Sequence, residues 1–316
     1  DIKTVSPSVF ERLDSYSGPR LVEYHDDNPC VQKELFAKNF RQKLKMSAAP
    51  TPLSDNAIES ADRNKVTIEA QYAVDEYDVL ILSAEESTGL KNWLEENEYS
   101  IPEGAEEVLD PYIKNDLKFF VVKVNTSKLA KTNDQILNPL QITFNSPKFM
   151  LPIRLGMANA NGHQDMVVYA FTNEGRVECT NYRTVEMPSA RNIPTFVRDD
   201  FNKFYGDVFE REYDRQGQNT VFLEYAWDVT PTSPSIKCDP CVGPPPVDPH
   251  LVEAGIGWNM RAKKVHFTRM RVRYTKEKFA SDLLFQVTPN VERYQARYII
   301  TNPASGSFDC AQGQEY

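Results

Sequence analysis

Cys238-Asp-Pro-Cys241 is the closest pair of cysteines in this sequence, and Val-Gly-Pro-Pro-Pro follows it directly. Three chemistries use such a pair. A redox dithiol sits at the start of a helix, whose dipole lowers the thiol pKa; here a proline-rich loop follows instead. A zinc site needs two further ligands. His250 is one candidate and His266 another, but the spacing fits no standard finger. A structural disulfide needs only a turn. The ring it would close is tiny, so its contribution is local rigidity more than chain entropy. The loop context favours the disulfide, with the metal site of Cys238, Cys241 and His250 as the alternative.

A second cluster is basic. Between residues 261 and 278 stand Arg261, Lys263, Lys264, Arg269, Arg271, Arg273, Lys276 and Lys278, against the single acid Glu277. If Phe267–Tyr274 is a strand, Arg269, Arg271 and Arg273 share one face. Such a face suits a polyanion or an acidic partner. The competing expectation is that these arginines pair with some of the chain's own 45 Asp and Glu. The net charge of −9 favours internal pairing, and nucleic acid is not an expected partner. The trio His25-Asp26-Asp27 reads as a cation contact or, more simply, an exposed polar turn. A hydrolase-like or metal-dependent site would have to be assembled from scattered residues such as His25, Asp26, Cys238, Cys241 and His250. No dinucleotide or phosphate-loop motif occurs, so no cofactor is expected.

These residues need elements to position them. Residues 1–46 read as helical, with a polar loop over 47–64. Lys65–Val74 alternates as a half-buried strand, and Val79–Leu82 is a more buried one. Ser83 and Glu86 form a capping-box pattern ahead of a helix bearing Leu90, Trp93 and Leu94. Pro102 opens a further helix, which Pro111 should kink or end. Strands are expected over 119–124, 140–145, 150–155, 165–172, 181–186, 221–227, 265–274, 283–287 and 294–300. A helix starting at Asp199 carries a Phe201–Phe209 stripe that reads as core, and a short helix lies near 248–254. The mixed order predicts an α+β fold, its sheet mixed and largely antiparallel, with packed helices. Residues 1–64 form an N-terminal helical segment and linker, and 65–316 an α+β domain, unless both belong to one domain lacking an N-terminal β part. No apolar run reaches the length of a membrane span. Five cysteines are an odd number, so at least one is unpaired or bonded to something else.

Several stretches carry a family likeness. Tyr77-Asp-Val-Leu-Ile-Leu-Ser-Ala84, Leu90-Lys-Asn-Trp-Leu94, Phe119-Phe-Val-Val-Lys123, Cys238-Asp-Pro-Cys241 and Thr268-Arg-Met-Arg-Val-Arg-Tyr274 are among them. Together they make the chain resemble the bacterial family called domain of unknown function 2330. The resemblance implies a secreted or envelope location, in the periplasm, at the outer membrane or on the cell surface, and hence an oxidising compartment. It supplies no catalytic residues. Members of that family usually begin with a Cys-Gly-rich segment, so a missing N-terminal segment is one expected partner, and another envelope protein is the other. The expected function is a non-enzymatic extracytoplasmic scaffold that binds a protein or surface polymer. The alternative is the metal-dependent hydrolase-like enzyme described above.

Overall fold

The computed structural model describes residues 1–26, 65–129, 137–217, 219–231, 248–253, 255, 264–277 and 281–305. At its centre lies β12 (Thr220–Asp228), a run of mostly apolar residues buried from Thr220 to Trp227. A strand apolar on both faces must be covered on both faces. On one side β12 pairs antiparallel with β13 (His266–Tyr274), which pairs antiparallel with β8 (Gln164–Thr172). On its other side it pairs parallel with β10 (Arg183–Glu186) and antiparallel with β15 (Tyr294–Gln295).

The two faces of this sheet have different covers. Val221, Leu223, Ala226, Met270 and Val272 point to one face and pack with Val177, Leu283 and Phe285. The last three come from β9 (Val177–Cys179) and β14 (Leu283–Val287), which pair with each other, while β14 also pairs with β7 (Met150–Leu151). Two helices lie over the opposite face. Val9, Leu13 and Tyr16 of α1 (Ser8–Ser17) pack on Tyr225, Trp227 and Phe267. Tyr205, Phe209 and Tyr213 of α6 (Phe201–Gln216) pack on Phe222 and Tyr298. Asp200 caps α6 by accepting from the Lys203 backbone N–H. Its predicted aromatic stripe is core.

Three further sheets complete the described structure. β2 (Arg20–His25), β16 (Arg297–Asn302) and β11 (Arg191–Asn192) run parallel, with β16 in the middle. β3 (Val66–Val74), β4 (Tyr77–Ala84) and β5 (Phe119–Val124) form an antiparallel sheet. It packs against α2 (Ser87–Glu96) and α3 (Ala105–Lys114) through Leu82, Leu90, Trp93 and Leu109. β1 (Ile2–Thr4) pairs with β6 (Leu140–Ile142). Strand pairing is thus mostly antiparallel, and the fold is α+β as the mixed element order predicts. Three short helices complete the described elements: α4 (Thr126–Leu129), α5 (Arg154–Ala158), whose Met157 joins the core, and α7 (Asp248–Glu253).

Local expectations differ at several points. Residues 2–4 and 20–25 are strands, not helix, because long-range partners satisfy their backbone groups. The 150–155 segment is strand only to Leu151 and then turns into α5. Pro111 neither ends α3 nor stops it before Lys114; the buried face of Ala105, Leu109 and Tyr112 holds the last turn. The Ser83/Glu86 capping box does not form. Ser83 belongs to β4 and donates to Glu69 at 2.6 Å, while Glu86 receives Lys65 at 2.7 Å.

Candidate functional site

Strand alternation puts Phe267, Arg269, Arg271 and Arg273 of β13 on the face covered by α1 and α6. A bulge in β12 between Leu223 and Tyr225 breaks its alternation. Glu224 and Tyr225 consequently both lie toward the helix-covered side, and a carboxylate enters an otherwise apolar strand.

The two helices do not close completely over this face. Between them lies a cavity of about 450 Å³. Its floor is Val167, Glu224, Arg269 and Arg271, and its walls include Arg20 and Tyr205. Arg269 is the hub. Its Nε donates to Glu224 Oε2 at 2.6 Å and its Nη1 to Asp14 Oδ1 at 2.7 Å. The Glu224 side chain is 1% exposed and that of Arg269 7%. Tyr205 Oη donates to the other Glu224 oxygen at 2.5 Å, and Tyr169 Oη donates to Asp14 at 3.0 Å. Tyr169 also lies under the Arg269 guanidinium at 5.4 Å.

The electrostatics follow from this enclosure. Burial works against the Arg269 charge, but Glu224 and then Tyr169 and Asp14 more than offset it, and its pKa rises. Burial, reinforced by the Glu224 carboxylate, pushes Tyr205 far above the phenol range. Burial likewise lowers Arg20, whose guanidinium donates to the Tyr16 carbonyl. Arg269 and Tyr205 therefore each keep one protonation state through neutral pH. Removing one partner of a buried pair such as Glu224–Arg269 would strand the other, at a cost of about 3–5 kcal/mol.

The backbone around this hub is close-set. The Arg20 N–H donates to Ala296 O at 3.0 Å, and the Ala296 N–H donates to Glu224 O at 2.8 Å. Gly18 closes α1 by donating to Asp14 O at 2.7 Å. A Cβ at position 18 would stand 2.8 Å from that same carbonyl and 3.6 Å from Arg269 Nη1. Glycine is there because the turn that ends α1 brings position 18 back against the Asp14 carbonyl.

Arg271 and Arg273 are also engaged. Both donate to Asp165 on β8, Arg271 at 2.5 Å and Arg273 at 2.6 and 2.9 Å. Partial burial opposes the Asp165 charge, but hydrogen bonds from Arg273 and Arg271 outweigh it and hold its pKa at about 2. Arg271 lies 3.8 Å over the Phe209 ring. The three arginines do share a strand face, and they pair with Asp14, Asp165 and Glu224 of the same chain.

The other sequence candidates fall elsewhere. Cys238 and Cys241 lie outside the described residues, as does the side chain of His250, which falls on α7. His25 ends β2, is exposed, and meets Asn302 at 3.4 Å. The Asp26 N–H donates to Asn302 O. Among the described residues no group of three His, Cys, Asp or Glu is placed to hold a metal ion. Cys179, the one cysteine described, is a buried free thiol directed at Asn181 Oδ1. His266 is buried, and neither ring nitrogen has a partner. Burial lowers its pKa to about 4, with Asp228 opposing and Arg176 assisting.

Asp14, Arg20, Tyr169, Tyr205 and Glu224 were not singled out as site residues from the sequence. Glu224 did leave a signal, being the lone acid inside Val-Phe-Leu-Glu-Tyr-Ala-Trp.

A family model described as "uncharacterized protein conserved in bacteria (DUF2330)" matches residues 1–286. The chain belongs to this family. Asp14, Glu224 and Arg269 lie within the matched stretch; Ala296, which straps β2 to β12, lies beyond it. No match was found among curated proteins or among solved structures.

Proposed function

We propose that this member of the family is a non-enzymatic scaffold outside the cytoplasm that recognises another envelope protein or a surface polymer. The observation that carries the reading is the state of the cavity lining. Arg269, Glu224, Tyr205 and Asp14 are locked to one another, and Tyr205 and Arg269 are driven away from neutral pKa values. A general acid or base works best near the operating pH. A lining of fixed charge and fixed geometry suits recognition better. The extracytoplasmic part rests on cysteine usage and the family likeness, with Cys238 and Cys241 joined as a local clasp.

Fractionation of the native bacterium, with thiol alkylation before mass spectrometry, tests both parts. The expected result is protein in the envelope or secreted fraction, cross-linked to a partner, with Cys238 and Cys241 refractory to alkylation until reduced. Protein confined to the cytoplasm, or these thiols found free or on stoichiometric zinc, would overturn the reading in favour of the metal-enzyme alternative.

A further inference from the structure

A second, smaller pocket lies where α3, α5 and the start of β14 meet, with a volume of about 180 Å³. At about 30 Å³ per water in the liquid, that is room for about six non-hydrogen atoms. Asp282, just before β14, supplies its carboxylate. Asp282 Oδ1 accepts from Tyr112 Oη at 2.6 Å and from the backbone N–H groups of Ile153 at 2.9 Å and Arg154 at 3.3 Å. Burial and the Asp282 carboxylate hold Tyr112 above the usual phenol range, so it remains a donor. Three donors thus fix the carboxylate in place through one oxygen. Among the described residues no donor meets the other, Oδ2, and that atom is not sealed from solvent.

Arg154 opens α5 and lines the same pocket. Its Nε is buried and has no acceptor. No acid pairs with its guanidinium among the described residues; it meets Asp282 only through its backbone N–H. A buried donor without an acceptor is costly, and an acceptor inside the pocket would relieve it. The pocket therefore holds a fixed carboxylate and an unpaired guanidinium that do not bond each other. An anion placed on Arg154 would be repelled by Asp282, and a cation placed on Asp282 by Arg154. A molecule carrying both charges answers both. Leu117, Met150 and Leu284 supply an apolar wall for a short side chain. Lys148 also reaches the lining, but it is exposed and water answers its charge.

We propose that this pocket binds a small zwitterionic amino acid of about alanine's size, with its carboxylate on the Arg154 guanidinium and its ammonium on Asp282 Oδ2. Guanidinium donors match carboxylate geometry, and both contacts are charge-assisted. The pocket admits a free amino acid and excludes one with a large side chain. This binding goes beyond the scaffold reading and does not depend on it, since that reading rests on the cavity between α1 and α6.

NMR titration of the nitrogen-15-labelled full chain tests the site, with glycine and L-alanine as ligands and propionate, ethylammonium and L-phenylalanine as comparisons. The Arg154 Nε–H resonance, identified by its loss in Arg154→Met, should shift saturably with L-alanine. Propionate and ethylammonium each lack one charge and should bind about tenfold more weakly or worse. L-phenylalanine should not bind. Arg154→Met should weaken alanine binding by about tenfold or more, read from backbone resonances around Asp282. The proposal fails if neither glycine nor alanine binds saturably, or if a folded Arg154→Met keeps full affinity. Propionate binding as tightly as alanine would make this an anion site, and ethylammonium doing so would make it a cation site; either overturns the zwitterion. Equal binding of L-phenylalanine would place the ligand outside this pocket. The ligand comparisons use the unaltered protein, so they decide the matter even if Arg154→Met does not fold.

Discussion

At the scale of single residues, the protein separates two kinds of buried polar group. Glu224 is buried with all its charge answered, by Arg269 on one oxygen and Tyr205 on the other. His266 is buried with nothing answering it. The consequence is a pH dependence whose sign is fixed. An imidazole with a pKa of about 4 in the fold and about 6.5 unfolded is held neutral by folding. Its contribution is complete above pH 6.5 and is lost as the pH falls toward 4. By pH 5 the loss is about 2 kcal/mol. Urea unfolding at pH 7.5 and pH 5 should show this difference, and His266→Phe should remove that share of it. An unchanged pH dependence in the variant would mean that His266 is not held neutral. The histidine was legible in the sequence only as a metal-ligand candidate; its isolation depends on Asp228 and Arg176 standing near without bonding it.

At the scale of elements, the cavity exists because α1 stops where it does. Ser17 donates to Leu13 O, Gly18 closes the helix, and β2 departs at Arg20 alongside β16. Gly18→Ala would press a methyl group against Asp14 O. Overpacking of this kind costs about 1–3 kcal/mol. The expected result is a lower denaturation midpoint in Gly18→Ala, with Ser15→Ala, three residues earlier on α1, close to wild type. Equal effects of the two changes would remove the close-approach argument. Helix and strand periodicity exposed most elements, including β3, α2, β12 and β13, since each shows an apolar face or a fully apolar run. It failed for β1, β2 and β9, which are short or lean on distant partners for their backbone bonds. The β12 bulge was equally hidden, because nothing in the order Leu-Glu-Tyr announces an extra residue.

At the scale of the whole molecule, the net charge of −9 is not contradicted by the arginine ladder. Arg269, Arg271 and Arg273 are matched by acids brought from α1, β8 and β12, and helices cover them. Long-range attraction to polyanions falls with each such pairing. The protein should therefore elute from heparin at low ionic strength without strong retention, and Arg271→Ala with Arg273→Ala should not alter its elution. Salt-sensitive retention lost in that double variant would show the ladder open to polymers.

The sequence by itself determined the α+β class, the family and the positions of most strands and helices, because hydrophobic periodicity is a local property of the chain. It also placed Arg269, Arg271 and Arg273 on one face, since side chains alternate along any strand. Tertiary structure alone decided what that face meets. Asp14 and Arg269 are brought together from opposite ends of the chain, and Glu224 joins them through a bulge. Coulombic pairing and desolvation depend on distance and burial in space, and spacing along a chain encodes neither.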